Sequence, residues 1–303
     1  MKSITRTMVA TTLAVATVGA VGFAAPGQAS TSQPNSSTNA ASPQQRAVQA
    51  TSVRDSTEQA DSAAERYDWG KPLAAPSDEF DYGSEDQPAV PDQDKWSLAG
   101  GGVDACWPGH NDNGRRCDEN TRVHGGVLRM VGEANGDSGW LASKFGRQYG
   151  RWEARVRSSN TEEPNGREYH PLLIIWPDSD ERQQDGEYDY LENMSPGEEC
   201  AEAFIHYPHP GTDEIQQEFA EESNCGEPLS QWHNVAFEWT PDHVAGFIDG
   251  EEWFRYSGGA NDVRDCIQCM PSGHQTIQLD NFHGEDMTPA TYEIDWYREY
   301  AAP

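Results

Sequence analysis

Three carboxylates lie close together in 186-GEYDYLEN-193, where Glu187, Asp189 and Glu192 alternate with aromatic and apolar residues. A carboxylate that leaves water must be paired, hydrogen-bonded or neutralised, so acids in an apolar run indicate a chemical role. Two carboxylates that face each other across a sugar can cleave a glycosidic bond, because one attacks the anomeric carbon and the other protonates the leaving oxygen. A separation of roughly 5 Å gives retention of configuration, and a wider gap gives inversion.

A regular strand cannot present all three acids on one face. Glu187 and Asp189 share a face, but Glu192 is five positions from Glu187 and would point the opposite way. One extra residue, a β-bulge near Tyr190 or Leu191, restores the parity. We therefore predict a bulge, with Asp189 between the glutamates, where it can share a proton with a neighbour and shift the pKa of that neighbour.

Two other interpretations of these acids remain open. The pattern E-x-D-x-x-E arises by accident in a chain with 51 Asp and Glu residues, so the acids could simply face water on a solvated strand. A calcium site is a third interpretation, although the segment lacks the Asp, Asn and Gly pattern of a calcium loop. Spacing alone does not decide among the three.

The first 75 residues differ in composition from the rest of the chain. Residues 1–29 carry Lys2 and Arg6, then an apolar run and the small-residue exit 27-GQA-29, which predicts a signal peptide and a secreted, extracellular protein with no membrane segment after cleavage. Residues 30–75, rich in Ser, Gln, Ala and Pro, predict a disordered tail. Residues 76–303 are long enough for one folded domain, which we expect to be a monomer.

The charge of the chain bears on its partners. The formal net charge is −30, from 21 Lys and Arg against 51 Asp and Glu. Such a chain repels nucleic acid and anionic membranes, and strongly anionic polymers are unfavourable substrates. Because the acids are spread along the whole sequence, we interpret them as a solvated surface suited to salty surroundings rather than as a patch for a basic partner.

The cysteines indicate an oxidised domain. Their number is six, which is even, and all lie in the predicted domain of an exported chain, as disulfides require. Sequence neighbours suggest Cys106 with Cys117, Cys200 with Cys225 and Cys266 with Cys269, although six cysteines permit 15 pairings.

Apolar residues in the predicted domain recur with a period of two. The segments 149–159, 232–240 and 291–300 alternate as half-buried strands do, and Asp249-Gly250 joins two short runs as a hairpin turn. A long helical period is missing. Many short strands divided by Gly, Pro, Asn and Asp predict an all-β sandwich or barrel.

Four blocks of the sequence resemble glycoside hydrolase family 16, in order from near Trp96 to the C-terminus, and the acidic motif is similar to that of the laminarinase-like branch. The resemblance implies a jelly-roll β-sandwich of two curved antiparallel, concanavalin-like sheets, with the acids in an open cleft. It also implies an endo-acting, retaining hydrolase. The blocks are 140-WLASKFGRQYGRWEARVR-157, 170-HPLLIIWPDSDERQQDGEYDYLEN-193, 231-QWHNVAFEWTPDHVAGFIDG-250 and 292-YEIDWYREY-300.

The resemblance also implies roles for the three acids. Glu187 would be the nucleophile, Glu192 the general acid and then base, and Asp189 the residue that tunes the pair. The expected substrate is β-1,3- or β-1,3(4)-glucan, with agarose and other neutral galactans as the alternative. A transglycosylase is a further alternative, because water and a sugar hydroxyl compete for the same intermediate. A lectin-like binding module of the same fold is the non-enzymatic one.

Four further residues are candidates for substrate binding. Trp176 precedes the acids where the family presents a Trp to a sugar ring, although a core position is the alternative. His206 matches a His on the strand after the acids and could bond to an acid or to the sugar, or be an ordinary strand residue. Trp140 and Glu202 could line the cleft.

The sequence contains few signals for a cofactor. We expect none to be required, since a Gly-rich nucleotide-binding signature is missing. The family resemblance allows a structural calcium ion away from the cleft, with Asp295 as a ligand. Two segments depart from the family pattern: the polar insert 178-DSDERQQD-185, which could shape one wall of the cleft, and 106-CWPGHNDNGRRC-117, which has no evident role.

Overall fold

A computed structural model describes residues 62–303 apart from 213, 263 and 265. The predicted signal peptide, residues 1–29, and residues 30–61 of the predicted tail lie outside the described residues. Within the described part, none of the helices has the length and apolar character needed to span a membrane.

Strands, numbered in chain order, form two seven-stranded sheets whose neighbours all pair antiparallel. The first sheet has the order β1 (Trp96–Leu98), β7 (Trp140–Ser143), β16 (Gly273–Asp280), β9 (His170–Pro177), β10 (Glu187–Glu192), β11 (Glu202–His206), β12 (Gln217–Glu221). The second sheet has the order β15 (Glu251–Tyr256), β14 (Val244–Ile248), β13 (His233–Trp239), β8 (Gly150–Asn160), β17 (Ala290–Tyr300), β5 (Val127–Gly132), β4 (Thr121–His124).

A small third sheet and a few single-turn helices complete the described part. The small sheet pairs β2 (Cys106–Pro108) with β3 (Arg115–Cys117), and β3 with β6 (Asp137–Ser138). The α-helices are α1 (Ala63–Arg66) and α2 (Arg182–Asp185), and the 3₁₀ helices are η1 (Ala99–Gly101), η2 (His110–Asp112) and η3 (Asp118–Asn120). The predicted all-β class is therefore confirmed.

The period-two segments form the strands predicted for them. In β8, Trp152, Ala154 and Val156 are buried, as the alternation requires. The β14–β15 hairpin turns at Asp249 and Gly250, whose φ values are 47° and 74°. Positive φ at both central residues is the turn that matches the twist of paired strands, and Asp-Gly supports it at little cost.

The core lies between the two large sheets and is rich in aromatic residues. Tyr190 of the first sheet stacks on Phe237 of the second with ring centroids 5.1 Å apart. Tyr188 meets the edge of Trp239 at 5.4 Å. Both tyrosines are 1% exposed or less, so β10 is fixed from its core side by two large rings.

Three disulfides close local loops. They join Cys106 to Cys117, Cys200 to Cys225, and Cys266 to Cys269. The pairing predicted from sequence neighbours is confirmed.

Residues 62–75 correct the predicted domain boundary at 76, because they pack on the second sheet instead of continuing the tail. The buried carboxylate of Glu153 accepts hydrogen bonds from Ser62 Oγ at 2.9 Å and from the backbone N–H of Ala63 at 2.7 Å. Trp69 is 5% exposed and packs against Phe247. Ser62 and Ala63, which composition assigned to the tail, donate these bonds to an acid about 90 residues later in the sequence. Composition alone does not predict such a contact.

Candidate active site

A β-bulge in β10 aligns the three acids. β10 pairs with β9 in regular register up to Asp189, and the pairing resumes at Leu191, which leaves Tyr190 as the extra residue. As a result Glu187, Asp189 and Glu192 all line one cavity. The bulge predicted from the parity of the motif is confirmed.

Core contacts hold the bulge in place. The Tyr190 hydroxyl donates to Gln275 Oε1 at 2.6 Å, and the Tyr188 hydroxyl donates to the Ile267 carbonyl at 2.7 Å. Because buried hydroxyls need a partner, these bonds favour one placement of each ring. The two tyrosines therefore fix the direction in which the neighbouring acids point.

The cavity, of about 940 Å³, crosses the first sheet from β7 to β12. One row of paired, cavity-lining residues, which we call the Glu192 row, runs across four strands: Trp140, Gln278, Leu172 and Glu192. On the other side of β10, Glu187 pairs with His206. Five strand spacings separate β7 from β12, or roughly 24 Å at about 4.8 Å each. The cleft is therefore long enough for several sugar units, with the acids part-way along it.

Glu187, Asp189 and His206 form a tight cluster. A polar atom from each lies within 4.8 Å of the others. His206 Nε2 lies 2.9 Å from Asp189 Oδ2, so the imidazole donates this bond from Nε2, and burial lowers the pKa of His206. Asp189 is 1% exposed and held by this contact from the adjacent strand.

Two of the acids hold a proton more tightly than ordinary carboxyl groups. Burial, reinforced by the charge of Asp189, raises the pKa of Glu187 to about 8, while His206 and Arg182 act in the opposite direction. Burial and the charge of Glu192 raise the pKa of Asp189 well above its usual range. Polar atoms of Glu187 and Asp189 lie within 4.8 Å of each other, so the two acids titrate as a coupled pair. Ionisation of one acid therefore disfavours ionisation of the other.

Arg182 is a cationic neighbour of Glu187 that sequence reasoning missed. Its Nη1 donates to Glu187 Oε2 at 3.3 Å. It lies on α2 within the insert 178–185, which is anchored by an ion pair between Arg264 and Asp185. The available signal was the polar insert placed directly before the motif.

Gly186 allows the chain to turn from α2 into β10. Its φ is 85°, and a Cβ there would lie 2.7 Å from the His206 carbonyl oxygen. Only glycine fits both conditions without strain. Gly186 therefore allows the turn after which Glu187 lies within hydrogen-bond distance of Arg182.

Glu192 is the most exposed of the three acids. Its side chain is 12% exposed, against 7% for Glu187 and 2% for Asp189. His170 Nδ1 lies 3.9 Å from Glu192 Oε1. Of the three acids, Glu192 is therefore the one best placed to exchange a proton with water or with a leaving group.

The predicted substrate-binding residues separate into two groups. Trp176, Trp140 and His206 line the cavity, and Trp176 Nε1 donates to Asp180 Oδ1 at 2.9 Å. Glu202 lies on β11 outside the residues that line the cavity. Several cavity residues come from segments without a predicted role: Trp107, His110, Asn111, Arg116, His274, Gln278, Asp280 and Phe282.

Asp295, the predicted calcium ligand, lies on β17 of the second sheet, and its role stays a prediction. Its Oδ2 accepts from Arg155 Nη1 at 3.0 Å, so a cation would compete with a guanidinium. Among the described residues it belongs to no group of three side chains that could ligate a metal. The cluster of Glu187, Asp189 and His206 has suitable donors for a metal, but the Arg182 charge beside Glu187 opposes a cation there.

Comparison with known families identifies the family of this chain. The family model for glycosyl hydrolases family 16 matches residues 112–298, more than half of the chain. The chain belongs to this family. The family resemblance predicted from the four sequence blocks is confirmed.

One curated relative of the chain is the beta-glucanase of Rhodothermus marinus. It is 28% identical over 207 residues, which cover 59% of this chain and 64% of that protein. The chain therefore matches less than two thirds of the length of this relative.

Solved structures show the family-16 fold. A variant of a non-specific endo-β-1,3(4)-glucanase of the family, co-crystallised with 1,3-β-D-cellobiosyl-cellobiose, has a TM-score of 0.54 at 21% identity and covers 76% of this chain and 97% of its own. A pseudo β-1,3-glucanase of Mycobacterium tuberculosis has a TM-score of 0.56 at 20% identity and covers 77% and 100%. The predicted jelly-roll β-sandwich is confirmed.

Proposed function

We propose that this family-16 chain is a secreted, endo-acting, retaining glycoside hydrolase that cleaves β-1,3- or β-1,3(4)-glucan. The observation that carries the proposal is the bulge at Tyr190, which brings Glu187 and Glu192 to one cavity with Asp189 between them. A relative named as a beta-glucanase and a fold neighbour named as an endo-β-1,3(4)-glucanase support the substrate class.

The first step would form a glycosyl-enzyme. Glu187, as a carboxylate, attacks the anomeric carbon, and the bond from that carbon to the leaving oxygen breaks. Glu192 gives its proton to the leaving oxygen. Arg182 and His206, which both lower the pKa of Glu187, favour the ionised nucleophile.

The second step would release the sugar. Glu192, now a carboxylate, takes a proton from water, and the water oxygen bonds to the anomeric carbon as the bond to Glu187 breaks. Two displacements restore the original configuration. The reaction requires no cofactor. A sugar hydroxyl in place of water would give transglycosylation instead.

An internal cut follows from where the acids lie in the cleft. Strands β16 and β9 and, beyond them, β7 continue the cavity on one side of β10, and β11 and β12 continue it on the other. A polymer can therefore occupy positions on both sides of the cleaved bond. Secretion as a soluble monomer is part of the proposal, and three disulfides are compatible with an oxidising location.

A panel of polymers tests the proposal. The secreted chain is incubated with laminarin, lichenan and agarose, and new reducing ends are measured, with the anomer of the first product followed by NMR. We expect cleavage of laminarin or lichenan with retention. Cleavage of agarose alone would show that the substrate is a galactan and not a β-glucan. Products larger than the starting saccharide would indicate transglycosylation.

Three variants test the assignment of the acids. Glu187→Gln and Glu192→Gln should abolish cleavage of the polymer while thermal unfolding shows an intact fold. Glu192→Gln should still react with an activated glycoside, whose leaving group needs no proton, whereas Glu187→Gln should not. The exposed Glu227→Gln is the control. Binding without cleavage by the unsubstituted chain would establish the lectin-like alternative.

A further inference from the structure

The insert 178–185 ends in α2, a single helical turn that begins at Arg182 and ends at Asp185. One turn of helix has little stability of its own, because few backbone hydrogen bonds offset the cost of ordering it. The backbone N–H of His209 fixes its middle by donating to the Gln183 carbonyl at 2.7 Å. The direction of the Arg182 side chain therefore depends on the contacts that hold α2 against the rest of the domain.

Arg264 binds the C-terminal end of α2. Its Nη2 donates to the Gln184 carbonyl at 3.2 Å and forms an ion pair with Asp185. The two charged side chains are only 15% and 12% exposed, so loss of either partner would leave a largely buried charge without its counter-ion. Asp185 also accepts from Ser179 Oγ at 2.7 Å, which joins the beginning of the insert to its end. Arg264 thus holds the whole insert through one carboxylate.

A disulfide-closed turn, residues 266–269, fixes Arg264 in its place. Arg264 Nη1 donates to the Cys269 carbonyl at 2.6 Å, and the disulfide joins the first and last residues of the turn. The Ile267 carbonyl of the same turn accepts from the Tyr188 hydroxyl at 2.7 Å. One turn therefore contacts both β10, next to the catalytic motif, and the arginine that holds α2.

We propose that Arg264 is a positioning residue of the active site: through Asp185 it holds α2 so that Arg182 stays within hydrogen-bond distance of Glu187. Arg182 lines the cavity and donates to Glu187 Oε2 at 3.3 Å. Arg264 is not among the described residues that line the cavity, so it acts through α2 and not through contact with the polymer. The inference rests on the proposed function for the role of Glu187 as nucleophile.

The charged groups around Glu187 give the direction of the expected effect. Burial and the acids Asp189 and Glu192 of the same strand raise the pKa of Glu187, whereas His206 on β11 and Arg182 on α2 lower it. Loss of the anchor of α2 would let Arg182 move away from the carboxylate. The pKa of Glu187 should then rise, and the acid limb of the pH–rate profile should move upward with it.

The test is a double-variant cycle on the full chain, read from the acid limb of kcat/KM on an activated glycoside. Arg264→Gln should move the limb upward by about 1 pH unit or less, in the same direction as Arg182→Gln. Arg264→Lys keeps the charge but not the planar fork, so it should move the limb less. In a chain that already carries Arg182→Gln, the change Arg264→Gln should move the limb no further. A shift that persists without Arg182 would show that Arg264 acts by its own charge, which would refute the positioning role.

Arg255→Gln is the matched control. Arg255 also forms an ion pair with an acid, Glu252, but it lies on β15 of the second sheet with 41% of its side chain exposed, so its loss should leave the limb in place. Thermal unfolding checks that each variant folds. If Arg264→Gln does not fold, Arg264→Lys, with and without Arg182→Gln, decides by the same criterion. An unmoved limb in a folded Arg264 variant would contradict the proposal.

Failure of this inference differs from failure of the proposed function. If the unsubstituted chain cleaves no glycoside, the hydrolase assignment fails, and the pKa of Glu187 is then measured by NMR titration of isotope-labelled glutamate carboxyl groups. The Glu187→Gln variant assigns the signal. Arg264→Gln should raise this pKa when Arg182 is present and leave it unchanged when Arg182 is replaced. Any other result refutes the positioning role, whatever the chain cleaves.

Discussion

Removal of the charge at Arg182 should shift the acid limb of the pH–rate profile upward. Arg182 Nη1 lies 3.3 Å from Glu187 Oε2, and the other charged or titratable groups that act on Glu187 are Asp189 and Glu192 on its own strand and His206 on β11. The guanidinium lowers the pKa of Glu187, whereas burial and the two acids raise it. Without Arg182, Glu187 should therefore ionise only at higher pH.

The size of this shift can be bounded from the geometry. A unit charge pair at 3.3 Å interacts by about 5 kcal/mol at an effective dielectric constant of about 20. Because the Arg182 side chain is 33% exposed, solvent screens much of this energy. An opposite charge at such a distance lowers a carboxyl pKa by about 1 to 3 units, and screening favours the lower end. We therefore expect an upward shift of about 1 unit, or about 1.4 kcal/mol.

The assay is kcat/KM on an activated glycoside between about pH 5 and pH 11, because kcat/KM reports the ionisation of the free enzyme and this range lies on both sides of the expected limb. Arg182→Gln should lose about tenfold on the acid side and little on the alkaline side, and Arg182→Lys should lose less. The control is Gln183→Ala, an exposed neighbour on the same helix. If Arg182→Gln lowered kcat/KM equally at every pH and left the acid limb unshifted, Arg182 would only shape the wall of the cavity. That result would refute the electrostatic argument.

Three further predictions concern stability, each measured by thermal or denaturant unfolding. Because the folded pKa of Glu187 is raised to about 8, its burial cost is present above that pH and disappears below its ordinary pKa, so Glu187→Gln should stabilise the fold by at most about 5 kcal/mol near pH 9 and by little near pH 4. Tyr190→Phe strands a buried glutamine oxygen and should cost about 1 to 3 kcal/mol, while Tyr292→Phe, whose buried hydroxyl has no partner in the described residues, should cost nothing. A chain that lacks residues 62–75 should unfold at lower temperature than one that keeps them, because Glu153 loses its donors; equal midpoints would restore the boundary at 76.

The bulge that aligns the three acids could be predicted from the sequence because the argument is local. A strand has a strict period of two, so acids at 187, 189 and 192 can share a face only if one residue is added between the last two. The structure places that residue at Tyr190. The Asp249-Gly250 hairpin was predictable for the same reason, since turn chemistry depends on two adjacent residues.

The walls of the cleft could not be predicted, because they depend on which strands become neighbours. Trp140 joins the Glu192 row only because β7 pairs with β16, and these strands are about 130 residues apart in the sequence. Trp107 reaches the cavity through a separate small sheet, which carries no period that relates it to the acids. Glu202 has the alternation of a cleft residue on β11 and still lies outside the cavity lining. Strand order, which sequence patterns do not encode, decides the cases of Trp140 and Trp107, whereas Glu202 depends on how far along β11 the cavity extends.

The net charge of the chain and the charges that line the cleft have different effects. The chain has a net charge of −30, yet the two arginines of the cavity are each held by one of its acids, Arg182 by Glu187 and Arg116 by Asp280. Inside a cleft these pairs are screened by salt less than exposed charges are. The cavity lining has more acids than arginines, since Asp180, Asp189 and Glu192 also line it, so a neutral polymer fits this cleft better than an anionic one. We therefore expect the dispersed acids to act mainly through solvation, whereas the Arg182 charge inside the cleft acts directly on the ionisation of Glu187.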